Sequence, residues 1–347
     1  MFALGTAIRT GAPASGRKTR LTPGAILGAL PPSGLILAGI VSVQVGAGLA
    51  SQLFAVVPPA AVTLLRLWSS AVVMLVPTVA ARLRRGQKVA GAKAPGGPAP
   101  RPGRIRRLAP ARAAVRAAGV TRQAAGWRSL GVAAMFGLTL AAMNFAIYQS
   151  FARIPLGVAV TIEFLGPLGV AVAASRRLID LGWVLLAAGG VALLTRGGGH
   201  VTVIGVAFAL VAAGCWAAYI LLSAATGRRF PGSAGLTIAM AVAAVAITPV
   251  GIVAGGTAMF RPQVLAIGAG IGLLSSVIPY SLELEALRRM PPRVFGILMS
   301  LEPAAAALVG LILLGQLLTA TEWIAIGCVM VACIGATRGA AAGRLKT

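Results

Sequence analysis

Ten stretches of this chain stay apolar long enough to cross a lipid bilayer, and that feature restricts its fold more than any other: residues 34–54, 59–81, 130–150, 154–174, 179–195, 201–225, 235–255, 264–287, 294–316 and 320–337. The hydrocarbon core is about 30 Å thick, so a spanning helix needs about 20 mostly apolar residues. It offers no water to unpaired backbone groups, so runs of this length fold as helices that satisfy their own hydrogen bonds. Of 347 residues, 58% are hydrophobic and 11% charged, with a mean hydropathy of +0.91. A water-soluble domain could not hide that much apolar surface, which excludes a soluble enzyme and an intrinsically disordered chain. The expected fold is an all-α integral membrane protein with ten transmembrane helices, numbered here as spans one to ten.

Charge at first points elsewhere. Thirty-one Lys and Arg against six Asp and Glu give a formal net charge of +25, which invites a nucleic-acid reading. Their placement decides otherwise. With the amino terminus in the cytoplasm, 27 of the 31 basic residues fall in cytoplasmic segments, thirteen of them between residues 82 and 128. The opposite side keeps only Arg153, Arg196 and Arg261, and Arg66 lies inside span two. Cytoplasmic loops collect Lys and Arg for topological reasons, so both termini are expected in the cytoplasm and no nucleic-acid partner is expected. Residues 82–128 are rich in Pro, Gly and Ala, carry no acid, and read as a disordered basic loop lying on anionic lipid headgroups. Residues 1–32 and 339–347 read as flexible cytoplasmic tails.

Cys215, Cys328 and Cys333 all fall in apolar spans without CxxC spacing, so no metal, cofactor or disulfide framework is expected. His200 stands alone in a Gly-rich external loop and reads as a solvated residue.

An internal repeat supplies the first functional clue. IPLGVAVTIEFLGP at 154–167 aligns without gaps on MPPRVFGILMSLEP at 290–303, an offset of 136, matching Pro155 to Pro291 and Pro167 to Pro303. Trp183 and Trp323 open the helices that follow. Span four thus corresponds to span nine. An offset of five spans is odd, so the halves enter the membrane from opposite sides: two inverted five-helix repeats, the architecture of many secondary transporters, with the substrate site near the midplane.

Acids inside the bilayer supply the second clue, since a bare charge there costs on the order of 3 kcal/mol. Glu163 lies ten residues beyond Arg153, roughly 15 Å of helix, and Glu302 nine residues beyond Arg293, roughly 13 to 14 Å. Both carboxylates therefore reach the midplane, each within one turn of the helix-breaking Pro167 or Pro303. Either they serve function or they neutralise Arg66 and bond a broken helix turn. Arg66 itself needs a counter-charge or a water-filled cavity, and is expected to meet Glu163, Glu302 or a substrate carboxylate. Other polar groups recur at helical spacing: Gln44 and Gln52 on span one, Asn144 and Tyr148 on span three, Trp216, Tyr219 and Ser223 on span six, and Ser276, Tyr280 and Glu283 on span eight. Each is either a cavity group or an interhelical hydrogen bond worth about 0.6 to 2 kcal/mol. Glu285, four residues before Arg289, reads as half of an interfacial ion pair.

At these residues the sequence resembles the EamA-type members of the drug/metabolite transporter superfamily, and within them the threonine/homoserine exporter branch. The resemblance lies in SVQVGAGLASQLF (42–54), IPLGVAVTIEFLGPLGVAVAASRR (154–177) and IPYSLELEALRRMPPRVFGILMSLEPAAA (278–306). It implies a multi-pass exporter of small amino acids in a bacterial inner membrane, as a monomer or a homodimer, with EamA-like repeats at 33–195 and 200–338. Two positions depart from the branch, which usually has Lys where Gln52 stands and Glu where Gln316 ends span nine.

Competing functions are an exporter or facilitator of drugs or other metabolites, a channel, and a membrane-anchored basic protein that binds lipid or nucleic acid. An intramembrane enzyme would show a catalytic signature, and the spans hold no HExxH, no aspartate-rich motif and no Ser/His pair. Paired midplane acids suit a carrier in which a substrate ammonium and a proton compete for one site, the requirement for proton antiport.

Overall fold

The computed structural model describes residues 30–90, 126–174, 178–196, 201–230 and 234–343. They form α1 (Pro32–Leu53), α2 (Pro59–Ala90) and α3 (Trp127–Phe151). Span four is split into α4 (Leu156–Glu163) and α5 (Leu165–Ala173), followed by α6 (Leu178–Arg196), α7 (Val203–Gly227) and α8 (Ala234–Gly255). Span eight is α9 (Pro262–Gly272) and α10 (Ile278–Leu287), joined by a wide π-helical turn over Leu273–Val277. Span nine is again split, into α11 (Pro292–Met299) and α12 (Glu302–Leu314), and α13 (Ala320–Gly343) closes the chain. Among the described residues, nine spans are long and apolar enough to cross a membrane, and the tenth is the shorter apolar stretch Ile179–Leu194 within α6.

Local chemistry sets the boundaries. Pro32, Pro262 and Pro292 open their helices at positions where the missing N–H has no partner to lose. Thr202 caps α7 by accepting from Gly205 N at 3.1 Å. Thr319 and Glu322 cap α13 reciprocally: the Thr319 N–H donates to Glu322 Oε2 at 2.7 Å and the Glu322 N–H to Thr319 Oγ1 at 3.3 Å. Gly315, at φ 65°, ends α12 in the left-handed conformation.

Two boundaries depart from the sequence reading. Residues 82–90 continue α2 rather than opening the expected disordered loop, because a formed helix gains a hydrogen bond for each residue it adds. Likewise residues 339–343 belong to α13 rather than to a tail. Residues 1–29, 91–125 and 344–347, with Arg176, Arg177 and His200, lie outside the described residues.

Helix packing follows the repeat. Span three packs on span six as span eight packs on span one; three meets seven as eight meets two; four meets six as nine meets one. Spans two and seven, four and nine, and five and ten pair with each other, as exchange of two equivalent halves requires. The central crossing is close: a Cβ built on Gly157 of α4 would lie 2.7 Å from Ala307 Cα of α12. Without a hydrophobic drive between helices in lipid, such small-residue contact is what holds them together.

The loops at 152–155 and 315–319 share one end of the bundle, here the Arg153 face. The turns at 228–230 and 288–291 lie at the other, the Arg289 face. There Arg289 Nε donates to Glu285 Oε1 at 2.9 Å and Arg288 reaches Glu285 Oε2 at 3.3 Å, the interfacial pairing read from the spacing.

Candidate functional site

The two broken spans break at the same place. Offset by 136, Leu156 matches Pro292 at the start of the first half-helix, and Glu163 matches Met299 at its end. Pro167 has no N–H to give the Glu163 carbonyl, and Pro303 has none for the Met299 carbonyl, so each span loses one rung of its ladder at mid-membrane. The acids are not equivalent, however. Glu302 matches Gly166, one turn beyond the residue that matches Glu163, so Glu163 ends the half-helix before its break while Glu302 begins the one after.

Between the breaks and their neighbours lies a central cavity of about 310 Å³. Nine of the residues singled out from sequence line it: Gln44 from α1, Arg66 from α2, Asn144 from α3, Glu163 from α4, Trp216 and Tyr219 from α7, Tyr280 and Glu283 from α10, and Glu302 from α12. Gln44 Nε2 donates to Glu302 Oε1 at 3.0 Å, both groups being buried. Asn144 Nδ2 donates to Leu140 O at 2.8 Å. Tyr219 and Tyr280 both face the cavity.

Arg66 does not meet a carboxylate. Its Nη1 donates to Tyr148 Oη at 3.3 Å and its Nη2 to Ser275 O at 3.4 Å, with the guanidinium 5.4 Å from the Tyr148 ring centre. Among the described residues it forms no ion pair with Glu163 or Glu302, so of the three expected partners the protein supplies neither carboxylate. Both bonds sit near the long limit of a hydrogen bond. Four buried polar atoms of the lining have no partner at all: Gln44 Oε1, Arg66 Nε, Ser275 Oγ and Glu302 Oε2. Unpaired buried atoms are costly, and a cluster of them around a cavity marks groups arranged for something that enters it.

Several expected residues stand elsewhere. Tyr148 is fully buried behind the wall, where it holds Arg66 and stacks with Phe151 at 5.8 Å between ring centres. Ser276 faces α2 instead, accepting from Ser70 Oγ at 2.8 Å, and Ser275 takes its place on the cavity. The π-helical turn explains the swap. It adds a residue to one turn, so the group five before Tyr280, rather than four, shares its face. Pro167 lines a separate apolar cavity and Pro303 is buried at the start of α12; both shape the breaks without lining the central cavity. Ser223 belongs to another small cavity near Phe230.

The two positions that depart from the exporter branch also lie away from the central cavity. Gln52 Nε2 donates to Leu313 O at 2.9 Å, and Gln316 Oε1 accepts from the Leu156 N–H at 2.9 Å. Each amide satisfies a backbone group at the end of a half-helix near the Arg153 face. Sequence reasoning missed the apolar lining, including Met143, Ile147, Phe295 and Met299. In a chain this apolar, such residues carry no signal that separates cavity wall from lipid contact.

The model of the EamA-like transporter family matches residues 203–338. The threonine/homoserine exporters of Escherichia coli (strain K12) and Salmonella typhimurium (strain LT2) are 42% identical over 205 residues, which is 58% of this chain and 69% of theirs. An uncharacterized transporter of Bacillus subtilis (strain 168) is 28% identical over 131 residues, covering 38% of this chain and 44% of its own. A protein of known crystal structure shares the fold with a TM-score of 0.54 at 17% identity, over 91% of this chain and 99% of that one.

Proposed function

Since this chain belongs to the EamA-like transporter family, we propose that it is a secondary carrier that exports small amino acids of the threonine and homoserine kind across a bacterial inner membrane, in exchange for protons. The observation that carries the reading is the charge balance of the central cavity: one guanidinium and three carboxylates, Glu163, Glu283 and Glu302, with unpartnered donor and acceptor atoms among them. A zwitterion fits both ends. Its carboxylate takes the fork of Arg66, which local groups hold only loosely, and its ammonium takes Glu302 Oε2 and Gln44 Oε1. Three carboxylates against one guanidinium leave two negative charges in surplus, with or without the neutral zwitterion, and in a low-dielectric cavity protons offset them, so an arriving ammonium competes with a proton for the carboxylates. That competition is what exchange needs.

The placement of the basic residues orients the path. Cytoplasmic loops collect Lys and Arg, so the Arg289 face is the inner one and both termini lie inside. The exported molecule enters from that face and leaves past Arg153. The aromatic wall of Trp216, Tyr219 and Tyr280 favours one second reading, an apolar cationic drug that would bind the carboxylates and ignore Arg66.

Proteoliposomes holding the purified protein test the proposal. Labelled threonine should exchange against internal threonine or homoserine with saturation, and a sugar or nucleoside should not compete. A strain lacking the gene should accumulate the same amino acids. Competition by a cationic drug but not by threonine would replace the amino-acid reading with the second one, and flux that never saturates would mean a channel.

A further inference from the structure

Three cavities lie in series along the bundle. One of about 450 Å³ opens at the Arg153 face between the 152–155 and 315–317 turns, the central one holds about 310 Å³, and a third of about 220 Å³ sits between the central cavity and the Arg289 face. The third is lined by the far ends of three spans that form the central one, including Leu168 and Ala171 of α5 and Ile220 of α7, and by Thr337 of α13, which does not reach the central cavity. Adjacent cavities share walls. Phe151 alone lines both the first and the second, and Trp216, Phe295 and Met299 line both the second and the third.

We propose that Trp216, Phe295 and Met299 form the inner gate of the carrier, a partition one side chain thick between the substrate cavity and an apolar antechamber on the side of the Arg289 face. Three features make the partition suited to opening. Phe295 and Met299 sit on α11, an eight-residue helix that ends at the span-nine break, where the Met299 carbonyl has lost its ladder donor to Pro303. The Trp216 ring is braced edge-on by Phe164, 5.0 Å away between centres, and Phe164 is the break residue of span four. Both hinges thus bear on the same three side chains. An apolar constriction excludes water and ions while closed, and an unbranched Met can change rotamer to let a solute pass.

The assignment gives the antechamber a role that the central site does not explain. The inference rests on the carrier reading for its purpose, but its test reads thiol labelling and needs no substrate, so it can fail while that reading stands. Thr337 lines the antechamber and Val43 lines the central cavity, both only partly buried, which places one reporter position on each side of the partition. In a background carrying Cys215→Ser, Cys328→Ser and Cys333→Ser, a small charged methanethiosulfonate reagent is added from the Arg289 face of oriented membrane vesicles. Thr337→Cys should react readily, and Val43→Cys slowly. Phe295→Ala with Met299→Ala should raise the Val43→Cys rate by about tenfold or more, equivalent to about 1.4 kcal/mol off the barrier, and leave the Thr337→Cys rate within about twofold. An unchanged Thr337→Cys rate also reports an intact bundle. The milder Phe295→Leu should give an intermediate rate if the double variant does not fold. The proposal is overturned if Val43→Cys reacts as fast as Thr337→Cys in the unwidened protein, or if neither widening changes its rate.

Discussion

Replacing Arg66 should separate a structural cation from one that binds substrate. Its two hydrogen bonds measure 3.3 and 3.4 Å, its Nε is unpartnered, and its firmest local contact is the Tyr148 ring at 5.4 Å. A cation over an aromatic face contributes about 0.5 to 2 kcal/mol, so Arg66→Met should cost the fold about that much. Binding should suffer more. A substrate carboxylate left without its partner in a buried site loses about 3 to 5 kcal/mol, which at about 1.4 kcal/mol per tenfold weakens Kd by roughly a hundred- to several-thousand-fold. Arg66→Lys keeps the charge and loses the fork, and should weaken Kd by about tenfold. Equilibrium binding of threonine to purified protein and counterflow in proteoliposomes give the two numbers, and thermal unfolding in detergent gives the stability. The reasoning is refuted if Arg66→Met binds threonine within about threefold of the parent, or if both substitutions weaken binding equally.

Other expectations follow from the packing and the charges. Gly157→Val would push side-chain atoms into the Ala307 backbone and should cost about 1 to 3 kcal/mol, read as a lower unfolding temperature, whereas Gly169→Val on the same span, where a Cβ meets nothing within 4 Å, should be near neutral. A topology reporter fused after residue 100 should be cytoplasmic and one fused near Gly198 external; finding both on one side would sink the ten-span orientation.

How much of this was legible in the sequence depends on which physical signal each residue carries. Span number follows from hydrocarbon thickness, and the paired breaks follow from Pro167 and Pro303, whose missing N–H groups act the same way in any context. Charged and hydrogen-bonding residues in an apolar run also identify themselves, because the bilayer makes them costly; hence nine of the singled-out side chains share one cavity. The Ser275 and Ser276 exchange was hidden because a π-helical turn arises from packing across the bundle and leaves no mark in residue type. Tyr148 was misplaced for a related reason: helical spacing puts it on the face of Asn144, but its hydroxyl reaches Arg66 from behind while its ring stays buried. The apolar walls were beyond reach, since Phe295 facing a cavity and Leu311 facing outward belong to one residue class.

The unequal positions of Glu163 and Glu302 imply unequal roles. Glu302 is the first residue of the thirteen-residue α12, where the unpaired N–H groups and the positive end of the helix dipole stabilise negative charge. Glu163 is the last residue of α4, where the carbonyl end opposes it. Such dipole effects are worth about 0.3 to 1 kcal/mol at surfaces and up to about 2 kcal/mol in partly buried geometry, enough to divide two otherwise similar acids. Gln44 reinforces the division by donating to Glu302 alone at 3.0 Å. On the proposed exchange these positions suit Glu302 to anchor the substrate ammonium and Glu163 to trade its proton when water reaches the break. With a proton gradient worth about 2.3 kcal/mol per charge per 100 mV available as membrane potential, one such exchange sustains a useful outward gradient. Glu163→Gln should keep threonine counterflow and stop responding to an imposed pH gradient. Glu302→Gln should lose counterflow itself through weakened binding, by about tenfold or more if the ammonium contact contributes as a charge-assisted hydrogen bond of about 1.5 to 3 kcal/mol. Identical behaviour of the two variants in both assays would show that their places at the break do not set their roles. Full gradient response in Glu163→Gln would remove the proton from it.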